Sequence, residues 1–587
     1  MGPLLCYNRA MKQLIDCAMK REKCDLVVRG ASVLNVFTGE LERADVAVKD
    51  GKIAAIGQGY EGSAVYDAEG LFVLPGLMDG HVHVESSLLS PEAFAQLAVA
   101  HGTTGIVADP HELVNVAGIA GAEYVKEAFS RIRKEGIEPI DVYLQLPSCV
   151  PATPFETSGA ILNGAETARE IERPLFYGLG EMMNYPDVIA GDEETLKKIE
   201  ASHVAGKVVD GHAPDVHGDA LNAYAAAGIQ TDHECGSPEE CLEKISRGIY
   251  VHLRNSSSAD NLAVNCAAVN RYNYRRFLAC SDDKNAADLA SRGHMDDALR
   301  RLVARGIPAA EAVSMATLNI AECYHMKGKG AVAPSYDADF ILVDNLKDFT
   351  VKAVFKSGVL VAENGKALFE EGEHYLPDAV KSTVRVKPVT ADDFKIDIPS
   401  GRALAMTILP HTLVTEGEAV PVTCKDGDVQ VKGTDLLKLA VVERHFATGN
   451  IGKALLKGYG FHGGALAVSM AHDSHNLVIL GDDNAAMARA VEVMLEIGGG
   501  LVLISDEGED SFPFDIAGLM SSAPCGEVVA RTGEIAERAR KMGVKDCYDP
   551  VLTLVFMSLL VIPKLKLSDR GLFDVEKFAF TDSEVKG

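Results

Sequence analysis

Apolar and polar positions alternate over residues 25–57, in DLVVRGASVLNVFTGE and then ADVAVKDGKIAAIG, and Asp50-Gly51 within the second run is a hairpin signal. The same pattern returns far downstream as DADFILVDNL and VKAVFKSGVLVAENG, with Ser357-Gly358 at the turn. This predicts two β segments, 25–75 and 331–385, that pair into one small sheet domain interrupted by something else. The insert, residues 76–330, carries short continuous apolar runs that alternate with helical patterns. The runs are FVLPGLMDG, GTTGIVAD, DVYLQL, PLFYGLG, KVVDGH, IQTDH, IYVHLR and RFLACSD. Eight strands with intervening helices in about 250 residues is the count of a (β/α)8 barrel. A doubly wound open sheet gives the same alternation, so closure is inferred from the count alone. The first helix shows its boundaries: Ser90 to cap, Pro91 at the first helical position, and Gly102 beyond the end. Residues 1–24 read as a helical extension, and 386–587 as a further α/β domain with strands ALAVSM, NLVIL and GLVLIS.

Composition narrows the function. In 587 residues, 47% hydrophobic and 24% charged is the balance of a soluble globular chain. With 57 Lys plus Arg against 84 Asp plus Glu, the net charge is −27, which repels phosphate backbones and anionic lipids. Neither a nucleic-acid nor a membrane-surface partner is expected. The longest apolar run, Val551 to Ile562, is too short to span a bilayer and reads as a buried helix or strand pair. The opening MGPLLCYNRAMKQL lacks the apolar core of a secretory signal, and Cys6 stands where a myristoylation motif needs Ser or Thr. Twelve cysteines without a C-x-x-C pair suit reduced, mostly buried thiols in a cytoplasm.

Polar residues gather at the C-terminal ends of the predicted strands, the face on which barrel active sites are built. The first strand ends Asp79-Gly80-His81-Val82-His83; residues two apart on a strand point the same way, so both imidazoles can reach one metal ion. Taken alone, such a pair is more often two ordinary histidines. Gly180-Glu181, Gly211-His212, Asp232-His233 and Ser281-Asp282 then follow, each after an apolar run. Together they point to a metal centre. Gly458-x-Gly460-x-x-Gly463 precedes a strand instead of following one, so it is not a dinucleotide fingerprint.

The runs PGLMDGHVHVESS, IVADPHELVNVAG, GLGEMMN, GHAP, TDHE and CSDD resemble those of the bacterial adenine deaminases of the amidohydrolase superfamily. TGNIGKALLKGYG, SMAHDSHN and IPKLKLSDRGLFDV extend the resemblance beyond the barrel. It implies an α/β fold with a (β/α)8 metal-dependent hydrolase barrel inserted in a small β-sandwich and followed by a C-terminal domain. The implied activity is hydrolysis of adenine, a small purine base, to hypoxanthine and ammonia in purine salvage. Two divalent metal ions are implied, manganese first, with iron or zinc as alternatives. His81 and His83 would hold one, His212 and His233 the other, and Glu181 would bridge them in place of the carbamylated lysine used by many superfamily members.

Asp282 would bind metal and relay the proton of the attacking water, while Glu181 or Glu234 would protonate ring N1. By alternation, Asp283 should point away, toward the barrel's outer layer. Substrate contacts are expected from Asp109, His111 and Glu112 after the second strand, from Arg254 after the seventh, and from His472, Asp473 and His475. The bland readings of these are a helix cap, a salt bridge and a solvated turn respectively. Two departures from the family pattern, Arg254-Asn255-Ser256-Ser257 for Arg-Glu-Gly-Ser and His445-Phe446-Ala447 for a histidine followed by glycines, touch no proposed ligand. The other readings of the same scaffold are a deaminase of another aminopurine, a cyclic-amide hydrolase, or a silent binding paralogue. A homodimer is the expected assembly.

Overall fold

The computed structural model describes residues 3–410 and 412–586. A helix, Pro3–Ala18, leads into the first β block. Cys17 at its end and Cys24 at the start of the first strand are joined by a disulfide, with Cα atoms 5.4 Å apart. This corrects the expectation that every thiol is free: the helix-to-strand turn brings two cysteines within bonding reach. Among the described residues, nine other cysteines are free.

The two β blocks form one nine-stranded sheet. Its seam is Phe72–Pro75 against Phe340–Val343, antiparallel, with Leu74 opposite Ile341. The alternation does its work here: Val46 and Val48, Phe340 and Leu342, and Ala353 and Phe355 bury their side chains in one cluster.

Between the blocks lie eight parallel strands. They are β1 (Leu77–Val82), β2 (Thr103–Ala108), β3 (Asp141–Leu146), β4 (Gly178–Met182), β5 (Val208–Gly211), β6 (Thr231–Asp232), β7 (Tyr250–Arg254) and β8 (Phe277–Cys280). Each falls on a predicted run. β1 to β5 pair in order as one sheet and β6 to β8 as another. The sheets meet at both edges. Gln230 N–H donates to Val209 O at 3.0 Å beside β5, and Asp282 N–H to His81 O at 2.9 Å beside β1. The parallel sheet is therefore curled, with β8 returning to β1. The first helix, Pro91–Ala100, is capped as predicted: Ser90 accepts from Ala93 N–H, and Gly102 takes a φ of +87° after the end.

The C-terminal half is built on an eight-stranded sheet that carries helix Asn484–Ile497. All three predicted strands lie in it. Its pairs are antiparallel except Arg402–Ile408 with Ile451–Lys457, and helix Asn484–Ile497 carries the chain from Leu477–Gly481 across Gly464–Val468 to Gly500–Ser505. The apolar run 551–562 is not a regular helix or strand pair; only Leu552–Val555 is helical. Its backbone finds a side-chain partner instead, with the Lys566 amine donating to Phe556 O at 3.1 Å. The half is pinned over the open end of the curled sheet: Ser521 N–H donates to Leu88 O at 2.9 Å, and Thr157 Oγ1 to Asp569 Oδ2 at 2.7 Å. No helix among the described residues is long and apolar enough to cross a membrane.

Candidate metal centre

His81 and His83 project from the end of β1 with their Nε2 atoms 3.1 Å apart. Asp79, two residues earlier, is buried beneath them. It accepts from His81 N–H at 3.2 Å, from Ser281 Oγ at 2.5 Å, and lies 2.9 Å from His294 Nε2. The strand end is thereby locked to the start of the β8 loop. The sequence reading passed over Asp79, although its place two residues before His81 was a usable signal.

Glu181 sits within β4. Its N–H donates to Asp109 Oδ2 at 3.0 Å and its carbonyl accepts from Ser148 Oγ. Gly180 permits this, because a Cβ there would lie 2.1 Å from Asp109 Oδ2. The carboxylate reaches in two directions. Oε1 is 3.3 Å from His83 Nε2, while Oε2 is 2.6 Å from His212 Nδ1 and 3.1 Å from His233 Nε2. Asp282 closes the ring, with Oδ1 3.2 Å from His83 Nε2 and 3.6 Å from His81 Nε2. All six expected ligands are thus in one cluster, and all but the half-buried His212 are fully buried. Overlapping triads of them have donor atoms close enough to share an ion.

The electrostatics suit cations. Burial, followed by His233 and His83, holds His81 well below the usual imidazole range. At His212 burial acts downward too, but Glu181 and Glu234 outweigh it and raise the group to about 9. Burial disfavours charge on Glu181, yet His212, His233 and His83 hold it well below the usual carboxyl range. Two anionic carboxylates among four imidazoles, with no thiolate, form a hard-to-borderline donor set suited to divalent Mn, Fe or Zn.

The remaining expected residues divide into three groups. Asp109 lies under Glu181 and positions it. Arg254 is an ion-pair residue: Nη1 meets Asp282 Oδ2 at 3.0 Å and also contacts Glu234. Of the residues after Arg254, the Asn255 amide donates to Asp297 Oδ2 at 3.0 Å and the Ser256 hydroxyl to Asp283 O at 2.6 Å, so both brace the neighbouring loop. His111, Glu112, His472, Asp473 and His475 come together in a second buried cluster where the C-terminal half meets the curled sheet. His111 Nδ1 is 3.5 Å from Glu181 Oε1, so the two clusters adjoin.

Asp283 does not face an outer layer. β8 ends at Cys280 and Asp282 takes a φ of +53°, so strand alternation no longer applies. Asp283 bonds Ser86 Oγ at 2.5 Å and lines a cavity of about 220 Å³ shared with His472 and the apolar Val468, Leu501, Phe514 and Phe556. Glu156, buried 3 Å from Thr153 Oγ1 at the edge of the second cluster, belongs to an irregular stretch whose sequence carried no signal.

Residues 72–361 match the model of the amidohydrolase family, and this sheet with its cluster of candidate metal donors defines a hydrolase of that class. Residues 412–579 match the adenine deaminase C-terminal domain. The adenine deaminase of Nitratidesulfovibrio vulgaris is 44% identical over 577 residues, 98% of this chain and 99% of that one. Adenine deaminase 2 of Desulfotalea psychrophila is 45% identical over 98% of this chain and all of its own. That of Geobacillus kaustophilus is 40% identical over 97% and 98%. The chain belongs to the adenine deaminase family.

Proposed function

We propose that this chain hydrolyses adenine to hypoxanthine and ammonia, serving purine salvage. We read its curled parallel sheet as a (β/α)8 barrel set within a β-sandwich, with two divalent ions, manganese first, at the cluster. The observation that carries the reading is the cluster of His81, His83, Glu181, His212, His233 and Asp282 in a chain 40–45% identical to adenine deaminases along its length. Bound there, such ions would lower the pKa of water from about 16 to near 7 and supply hydroxide at neutral pH.

The chain's own groups handle the protons. Asp282 is oriented for this: Arg254 holds Oδ2 and leaves Oδ1 facing the cluster. As the water oxygen bonds C6, Asp282 takes the water proton. Charge develops on ring N1, which must be protonated. Glu181 is poorly placed to do so, because both its oxygens are engaged by imidazoles. Glu234 stands at the margin of the cluster, with Oε1 3.7 Å from His233 Nε2 and its side chain partly exposed. We assign it the transfer to N1: anionic at rest beside Arg254, it accepts the remaining proton of the oxygen now on C6 and hands it to N1. Passing the Asp282 proton to the amino group lets the C6–N bond break, releases ammonia and leaves the carbonyl of hypoxanthine. Arg254, paired with both carboxylates, keeps them anionic between turnovers.

The test is direct. Metal-loaded protein with adenine should show the absorbance change to hypoxanthine. Turnover of another aminopurine or a cyclic amide without turnover of adenine would refute the assignment.

A further inference from the structure

The second cluster has a spacing that hydrogen bonding does not explain. His472 Nδ1 is 3.3 Å from Glu112 Oε1 and 3.5 Å from Asp473 Oδ1, and His111 Nε2 is 3.8 Å from Asp473 Oδ1. Nitrogen-to-oxygen hydrogen bonds run about 2.7–3.2 Å. Two ligands of one tetrahedral ion, each about 2.1 Å from it, stand about 3.4 Å apart. The catalytic cluster shows the same separations, 3.1–3.6 Å, between His83, His81 or His233 and their carboxylates.

We propose that His111, Glu112, His472 and Asp473 hold a further divalent transition cation, separate from the pair at the catalytic cluster. Two independent features support the site. First, it is buried and short of partners: Glu112 Oε2 and Asp473 Oδ2 have no hydrogen bond. Among the described residues, the only ion-pair partners of the two carboxylates are the imidazoles of His111 and His472. Two carboxylates buried without lysine or arginine have only the two imidazoles to offset their charge, and one divalent ion held by all four groups offsets it in full.

Second, the surroundings prepare the donors. The His472 ring is held by stacking on Phe556, with centroids 4.7 Å apart. His111 turns its other nitrogen to Glu181 Oε1, as metal-bound histidines commonly turn theirs to a carboxylate. The site thereby joins the catalytic bridge through one imidazole. His475 is excluded as a ligand, because Ala471 N–H donates to its Nδ1 at 3.1 Å and leaves the hydrogen on Nε2. His472 also lines the 220 Å³ cavity, which gives an ion a route in. Glu112 and His111 come from the loop and helix after β2, and His472 and Asp473 from the C-terminal half, so the ion would clamp the two together.

This assignment stands apart from the substrate: the same residues reading a purine would alter its binding and not the metal count. Metal-stripped protein is loaded with Zn²⁺ alone, desalted, and counted by elemental mass spectrometry. Asp473→Asn and Glu112→Gln, both isosteric, should each hold one equivalent fewer than the unmodified protein and keep the rest: an ion left with two imidazoles, one carboxylate and a weak amide oxygen does not survive desalting, whereas the catalytic cluster without Asp282 keeps Glu181 and four imidazoles. His81→Ala should lose catalytic metal and keep this equivalent. An unchanged count in both isosteric variants overturns the site, and with a raised KM for adenine it shows substrate contacts instead. Loss of every equivalent in either variant also overturns it, since the two centres are argued to load separately.

Discussion

At the scale of single residues, Asp282 and Asp283 are neighbours in the chain with different jobs. Asp282→Asn should lower turnover by about 10² to 10⁴ while keeping much of the metal, because an amide oxygen still coordinates weakly but accepts no proton. His81→Ala removes a ligand outright and should lose metal and activity together. Asp283→Asn should be mild by comparison, since its carboxylate meets Ser86 and the cavity, not the cluster. Steady-state kinetics beside metal analysis separates the three; near-normal turnover in Asp282→Asn with a dead Asp283→Asn would reverse the assignment.

Lys566 makes a prediction of another kind. Burial pushes its amine from the usual 10.5 down to about 7, with Nζ donating to the carbonyls of Leu413 and Phe556. Between those pH values the unfolded chain binds a proton that the folded chain does not, so this group opposes folding more as pH falls toward 7. Lys566→Met removes that slope. Its Tm relative to the unmodified protein should therefore fall as pH rises from 7 to 10, and a flat difference in paired calorimetric scans would count against it.

At the scale of elements, each of the eight parallel strands fell where a continuous apolar run predicted it, because a strand buried on both faces needs no alternation. What the runs did not show was how the chain leaves them. Thr231–Asp232 is two residues long, and the β8 loop turns through a left-handed Asp282. Those exits are set by partners from other strands, such as Asp79 holding Ser281. Gly180 is a clear case of one strand end constraining another, since Asp109 follows β2 and Gly180 lies in β4. Gly180→Ala should destabilise by about 1–3 kcal/mol through overpacking against Asp109. It should also weaken metal binding, since the same clash displaces Glu181. Gly526→Ala is the control: a Cβ there meets nothing within 4 Å, in helix Cys525–Lys541, and should be neutral or slightly stabilising. Equal Tm values for the two variants would refute the close approach.

At the scale of the whole molecule, the proposed metal donors stand at the ends of five strands, so an ion bound among them would hold those ends together. Chelation should therefore lower Tm, and restored free Mn²⁺ should raise it in a concentration-dependent way, as for any ligand bound only by the folded state. A Tm indifferent to chelator in protein shown to lose its metal would argue that the donors are held by packing alone.

The sequence by itself determined the strands, the order of the candidate metal donors and the class of chemistry, because those depend on local periodicity and on which residues follow each apolar run. Motif resemblance carried it further, to the family. Only the tertiary structure decided that Arg254 spends its charge on Glu234 and Asp282, that Asp109 positions Glu181, and that His111 and Glu112 meet His472 and Asp473. Those pairs lie up to some 360 residues apart in the chain. No local pattern encodes them; they exist because the C-terminal half is folded down on the open end of the curled sheet, where burial forces unpaired donors to find one another.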